Sequence, residues 1–253
     1  MRILLTNDDG IFAPGITALY NVLAERNEHE IYIVAPEGQR SAVGRSITIY
    51  KPLFVTKHKL KGNNIALAVN GTPTDCVKLA IQGNVLPNKP DLIISGINDG
   101  PNLGTDVFYS GTVAAAMEGT LLGIPSLAVS LASYDYENYL PSALFISDFI
   151  DKHREILNTK DSLLNINIPG SDQCFWQGVK ITKLGKSVYD NAFENRQAPF
   201  GREYYWITGK VVYDDEDNTD LKAIKDWYVS ITPLHSDLTD YKRIEELQRI
   251  FLC

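Results

Sequence analysis

At 253 residues, with 44% hydrophobic and 22% charged side chains, the chain has the composition of an ordinary globular protein and enough length to bury a sizeable core. Its net charge of -7 weighs against duplex nucleic-acid binding and leaves small molecules as the expected substrates. No apolar run approaches the ~18 residues of a membrane span, Cys76, Cys174 and Cys253 are odd in number and unpatterned, and His29, His58, His153 and His235 lack zinc spacing, so a cytoplasmic protein with reduced thiols is expected.

The chain opens with Ile3-Leu4-Leu5, which breaks into Thr6-Asn7-Asp8-Asp9-Gly10. An apolar run closed by turn residues reads as a buried parallel strand, and in open α/β sheets ligands sit just past the carboxyl ends of such strands. Asp8 and Asp9 can face one point only if the chain is already turning, which Gly10 permits. One of them can simply cap the next helix, but a cap needs one carboxylate, and two repel unless a cation lies between them.

Pro14 then sits at a first helical turn, with Ile16, Leu19, Tyr20 and Leu23 on one face, and residues 31–35 form a second buried strand ended by Pro36. The polar loop 38–44 places Gln39, Arg40 and Ser41 where a second βα loop meets the first; a lone serine there reads first as a turn residue. Residues 46–50, 53–55 and 66–69 read as short strands, followed by a helix capped by Thr74, with Val77, Ala80 and Ile81 buried and Cys76 as a small filler. The strand 92–94 runs into Ser95-Gly96-Ile97-Asn98-Asp99-Gly100-Pro101-Asn102-Leu103-Gly104-Thr105-Asp106, which is either a flexible connection or a set of amides serving a ligand. Ser110, Gly111 and Thr112 open a helix that carries Val113, Ala116, Met117 and Leu121 and closes at Gly123. Its start is either an ordinary cap or a set of free N–H groups that bind phosphate.

A strand at 126–130, a long helix at 140–157 and a strand at 163–168 complete a repeated βα pattern, which predicts a mostly parallel, doubly wound sheet over residues 1–169. Strands dominate the extension 170–253, which is not expected to be an independent domain. They are 178–182, then 204–207 and 210–213 joined as a hairpin through Thr208-Gly209, an acidic solvated turn at 214–217, and a strand at 229–232 rejoining the body. The aromatic hairpin is either a subunit contact or a cover for its own core, and the last helix, 241–251, has an apolar face for docking on the same or a neighbouring subunit.

Together these loops bring Asp8, Asp9, Ser41, Asn98 and the helix start at Ser110, Gly111 and Thr112 to one sheet edge. Carboxylates, a hydroxyl and an amide are hard oxygen ligands, suited to Mg2+, Mn2+ or Ca2+ and poorly suited to zinc. A helix terminus offers an anion only about 0.3–1 kcal/mol, or about 2 at best, whereas phosphate monoester hydrolysis requires a barrier reduction on the order of 20 kcal/mol. A metal and positioned donors must supply most of that.

These residues also carry a resemblance. T-N-D-D-G at residues 6–10, A-P-E-G-Q-R-S at 35–41, G-T-P-T-D-C-V at 71–77, S-G-I-N-D-G-P-N-L-G-T-D at 95–106, Y-S-G-T-V-A-A-A-M-E-G at 109–119 and Y-V-S-I-T-P-L at 228–234 resemble the stationary-phase survival protein SurE family, metal-dependent 5'-nucleotidases, nearly end to end. The resemblance implies a Rossmann-like, three-layer α/β core, one divalent ion per subunit on Asp8, Asp9, Ser41 and Asn98, and hydrolysis of nucleoside monophosphates. It further implies dimers or tetramers that exchange C-terminal segments. On this reading Asp8, Asp9 and Asn98 are catalytic, and the substrate phosphate meets Ser110, Gly111 and Thr112 with help from Asn102. Asp8 has three open roles: nucleophile, base toward water, or metal ligand alone. The bases preferred, and cleavage of 3'-monophosphates or short polyphosphate, are left open. Trp227 departs from the family, which commonly has glycine there.

Three other readings compete with this one. A non-enzymatic receiver-type metal and phosphate binder also has paired acids after its first strand, but is about half this length and needs an acceptor Asp and a Lys that the corresponding loops lack. A haloacid-dehalogenase-type phosphatase wants Asp-x-Asp, where this chain has Gly10. A dinucleotide-binding oxidoreductase wants G-x-G-x-x-G in the first turn, which is missing.

Overall fold

A computed structural model describes residues 1–59, 65–135, 138–157, 159, 161–171, 175–190, 193–208, 210–213 and 216–251. Cys174, Gly209, Asp214, Asp215 and Cys253 lie outside them.

In chain order the elements are β1 (Arg2–Thr6), α1 (Pro14–Glu25), β2 (Glu30–Pro36), β3 (Val55–Lys59), β4 (Ile65–Val69), α2 (Pro73–Gln82) and β5 (Leu92–Asp99). A 3-10 turn (Gly104–Phe108), α3 (Gly111–Leu121), β6 (Ser126–Ala132), α4 (Leu140–Lys152), α5 (Arg154–Leu157) and β7 (Leu163–Pro169) follow. The rest comprises β8 (Val179–Ile181), β9 (Ser187–Asp190), β10 (Phe193–Gln197), β11 (Glu203–Ile207), β12 (Lys210–Tyr213), α6 (Asp220–Lys225), β13 (Val229–Leu234) and α7 (Tyr241–Phe251).

Nine strands form one sheet in the order β3-β4-β2-β1-β5-β6-β7-β13-β8. Its pairings are parallel except β3 on β4 and β13 on β7. From β1 the chain winds outward through β2 and β4, then returns to the other side of β1 and winds outward through β5, β6 and β7. The order therefore reverses between β1 and β5, the switch point where open α/β sheets bind ligands.

Alternation along the strands builds two cores. Ile3, Leu5, Ile31, Ile33, Ile94 and Val129 pack with Ile16, Leu19 and Leu23 of α1 and Ile146 and Ile150 of α4 on one face. Leu4, Val34, Leu67, Val69 and Ile93 meet Val77 and Ala80 of α2 and Ala115 of α3 on the other. The result is the three-layer, mostly parallel, Rossmann-like α/β fold, with β8 and β13 of the extension completing its sheet.

Six local expectations are corrected. The strand expected at 53–55 lies instead at Val55–Lys59, and β5 continues through Asp99 into the segment expected to be a connection. Residues 46–50 alternate like a strand but form none, because the Thr48 N–H donates to the Asp75 side chain (2.9 Å) instead of a ladder. The α2 cap is Thr72, not Thr74: Pro73 occupies the first helical position and Asp75 closes a capping box with Thr72. The helix expected over 140–157 breaks at His153, whose φ of -123° and ψ of 32° leave the helical region. Finally, 204–207 does not pair with 210–213: β11 pairs with β10, and β12 with β9. The turn lies instead at Pro199–Gly201, where Phe200 and Gly201 adopt φ of 72° and 80° and Ala198 N–H donates to Arg202 O at 2.8 Å.

Trp227 adopts φ of 60°, a left-handed conformation in which glycine carries no steric penalty. That is the physical content of its departure from the resemblance. Among the described residues no helix is long and apolar enough to cross a membrane.

Candidate active site

The site sits at the switch point. Past β1, Asn7 closes a turn on itself: its Nδ2 donates to Gly10 O (2.8 Å) and its Oδ1 accepts from Gly10 N–H (3.2 Å). Gly10 has φ of 105°, and a Cβ there would lie 3.1 Å from Gly38 Cα, so this turn requires glycine. It presents Asp8 and Asp9 in succession.

Asp8 is 4% exposed and docks on the start of α3. Its Oδ1 accepts from the Thr112 hydroxyl (2.6 Å) and its Oδ2 from the Thr112 N–H (3.2 Å). A Cβ on Gly111 would lie 2.8 Å from both Asp8 Cβ and Oδ2, so only glycine lets the helix approach this closely. Asn98, at the end of β5, places its Oδ1 3.2 Å from the same Thr112 hydroxyl. Its Nδ2 donates to Gly100 O (2.8 Å) and Asp99 O (3.3 Å), which fixes which amide atom faces Asp8. Asp9 accepts from the Asp99 N–H at 3.1 Å.

The structure therefore brings Asp8, Asp9, Asn98 and Thr112 into one hydrogen-bonded constellation. Ser41 lies on the adjoining loop, exposed, one residue after Arg40, whose N–H donates to Asp8 O at 2.6 Å. Ser110 caps α3 by accepting from Val113 N–H (3.1 Å), and so keeps its hydroxyl proton for another acceptor. The donors of Thr112 are committed to Asp8: the anion at this helix start is the protein's own carboxylate.

Asn102 is buried, with its Nδ2 on Ser130 Oγ (2.8 Å). Its N–H donates to Asn167 Oδ1 (2.9 Å), and its carbonyl accepts from Asn165 Nδ2 (2.8 Å) and Asn167 Nδ2 (3.0 Å). Sequence reasoning missed this support, although Asn165 and Asn167 two apart in an otherwise apolar strand were a visible anomaly. Cys76 is buried, and burial pushes its thiol far above the usual range, in keeping with a filler role.

Electrostatics distinguish the paired acids. Burial raises the Asp8 pKa, opposed by the Thr112 hydroxyl and the N–H groups of Thr112 and Gly111. Asp9 is pushed up to about 6 by burial and then by the neighbouring Asp8 charge, with the Asp99 N–H opposing. Among the described residues no Lys, Arg or His makes an ion pair with either, so the cluster lacks a counter-charge. Its donors are all oxygens, and among the described residues no three His, Cys, Asp or Glu converge. Two carboxylates completed by an amide carbonyl and a hydroxyl fit a hard divalent cation.

A cavity of about 470 Å3 opens beside Asp9, lined by Asp9, Ala13, Pro14, Gly15, Gln39, Asp99 and Tyr139. A second, of about 390 Å3, lies at the opposite sheet edge around Met1, Asp91 and Pro125, away from this chemistry.

The survival protein SurE family model matches residues 3–191. A protein of Desulfitobacterium hafniense (strain DSM 10664 / DCB-2) named 5'-nucleotidase SurE is 57% identical over 249 residues, covering 98% of this chain and 96% of that one. Its namesake in Pelotomaculum thermopropionicum is 52% identical over 253 residues, covering 99% and 95%. The crystal structure of the SurE protein from Aquifex aeolicus superposes with a TM-score of 0.83 at 37% identity, covering 99% of both chains. With the family model spanning the site loops and relatives this similar along almost their whole length, the chain belongs to the SurE family.

Proposed function

We propose that the chain is a metal-dependent 5'-nucleotidase that releases inorganic phosphate from nucleoside 5'-monophosphates. The observation that carries this reading is the buried Asp8, clamped by Thr112 beside Asp9 and Asn98 Oδ1, with no cationic side chain paired to either acid among the described residues. The relatives' name, shared across nearly the full chain, supplies the reaction class.

Asp8, Asp9, Asn98 and Ser41 are the residues that would hold a divalent ion, Mg2+ or Mn2+ with Ca2+ as a third candidate, whose chemistry there is neutralisation of phosphoryl charge. The chain's own groups do the rest. Thr112 holds Asp8 in one orientation, and the Asp99 and Gly100 carbonyls hold the Asn98 amide so that its oxygen faces the site. Ser110 donates its free hydroxyl proton to a phosphoryl oxygen, and the α3 N-terminus favours the negative charge there. Asn102, held by Ser130, Asn165 and Asn167, retains one amide proton for the same anion.

Phosphate release from a panel of nucleoside 5'-monophosphates tests the reading, with EDTA and with Mg2+, Mn2+ or Ca2+ restored; 3'-monophosphates and short polyphosphate belong in the same panel. Release stopped by chelation and restored by metal is expected, and Asp8→Asn should nearly abolish it while the fold survives. Full activity in that variant overturns the assignment, whereas trapping a phosphorylated Asp8 assigns it as nucleophile. We further propose a cytoplasmic dimer or tetramer assembled through the extension. Exposed Tyr205, Trp206 and Ile207 on β11, and Ile250 and Phe251 on α7, support this.

A further inference from the structure

The cavity beside Asp9 has mixed chemistry. Ala13, Pro14 and the buried Tyr139 give it apolar walls, while Asp9, Asp99 and Gln39 give it polar ones. Its volume, about 470 Å3, falls within the ~300–1,000 Å3 of small-ligand sites. The Asp99 main chain is fixed at the reacting centre, because its N–H donates to Asp9 and its carbonyl accepts from Asn98. Asp99 lines the cavity and is exposed, and among the described residues no cation pairs with it.

With Asp9 assigned to the ion, Asp99 is the carboxylate left to the cavity, and its charge disfavours a second phosphate there. Ionised carboxylates only accept hydrogen bonds, so a matching ligand must bring O–H or N–H donors. A ribonucleotide brings two, on adjacent sugar carbons, and one carboxylate has two oxygens to receive them. We infer that this cavity is the ribose subsite and that Asp99 determines specificity by accepting hydrogen bonds from the 2'- and 3'-hydroxyls. The inference rests on the nucleotidase reading for its substrate class, but its test can be separated from turnover.

Adenosine and 2'-deoxyadenosine carry no phosphate, so calorimetric titration of the wild type with each reads the cavity alone. Adenosine should bind roughly tenfold more tightly, the worth of one hydrogen bond to a charged acceptor. Asp99→Ala should erase the difference, and Asp99→Asn, which keeps one acceptor oxygen, should fall between. The ratio of kcat/KM for AMP over dAMP should follow the same order, through KM. Equal binding of the two nucleosides by the wild type overturns the inference, as does discrimination that survives in a folded Asp99→Ala. Phosphate release with no ribose preference sinks the subsite and leaves the nucleotidase standing. Asp99-dependent discrimination without any phosphate release does the reverse.

Discussion

The closeness of α3 to Asp8 makes Gly111→Ala the sharpest test of how the site is held. An added methyl would sit 2.8 Å from Asp8 Cβ and Oδ2, so the helix start or the carboxylate must yield by several tenths of an ångström. Overpacking of this kind costs about 1–3 kcal/mol. Gly111 lies in the helix without a positive φ, so alanine also recovers about 0.5–1 kcal/mol of backbone entropy. The net stability loss is therefore about 0–2.5 kcal/mol, a fall in melting temperature of at most about 10 °C. Turnover should respond far more, because misplacing a reacting group by about 1 Å costs roughly 100-fold. Phosphate release from AMP, read beside a thermal melt, should thus fall by about 30-fold or more in a folded variant. Activity within threefold of wild type would refute the claim that Asp8 is positioned by this contact.

Four further outcomes are expected. Thr112→Val keeps the N–H to Asp8 but loses the 2.6 Å hydroxyl bond, and should lower kcat about 10- to 100-fold for about 1–2 kcal/mol of stability, read by steady-state kinetics and urea unfolding. Asp75→Ala removes the bonds from Thr48 N–H and hydroxyl and from Thr72 N–H, and should cost about 2–4 kcal/mol on the same denaturation curves. His29 has a fully buried side chain whose ring nitrogens make no hydrogen bond, and burial lowers its pKa against the opposing pull of Asp151, whose Oδ1 lies 3.6 Å from Nε2. The unfolded chain therefore takes up a proton that the folded chain resists, and stability present above pH 6.5 is lost as pH falls below it; His29→Gln should flatten the urea midpoint between pH 7.5 and 5.5. Trp227→Gly should raise the melting temperature by about 1–3 °C by relieving its left-handed φ of 60°.

The central sheet was legible because β1, β2, β5, β6 and β7 are buried on both faces and so read as nearly continuous apolar runs. Their punctuation also marked the carboxyl ends of two strands: T-N-D-D-G breaks from β1 into a turn, and S-G-I-N-D-G is the end of β5 itself, in strand up to Asp99. What failed was local and had competing partners. Residues 46–50 have a strand's alternation, yet Asp75, distant in sequence, takes the Thr48 donors. Thr208-Gly209 has hairpin chemistry, but the turn at Pro199–Gly201 sets a pairing in which β11 and β12 belong to different ladders. The support of Asn102 by Asn165 and Asn167 is different: the two amides stand out in an apolar strand, but their partner lies in the loop after β5, and no local pattern encodes which residue they hold.

The geometry also resolves a conflict that composition leaves standing, an acidic cluster placed against a helix start that favours anions. Asp8 answers the helix: Thr112 gives it two hydrogen bonds, and the Gly111 N–H favours the same charge. Those donors offset part of the desolvation that burial at 4% exposure imposes on the Asp8 carboxylate. Asp9 receives a single N–H, from Asp99, and burial first and the repulsion of Asp8 second push its carboxyl up to about 6. The helix has thus given hydrogen-bond donors to one acid of the pair and left the other with a single N–H and, among the described residues, no paired cation, beside a cavity. On the proposed reading, that residual charge is what a divalent ion would meet, and the helix serves the reaction first by fixing a ligand and only second by attracting phosphate.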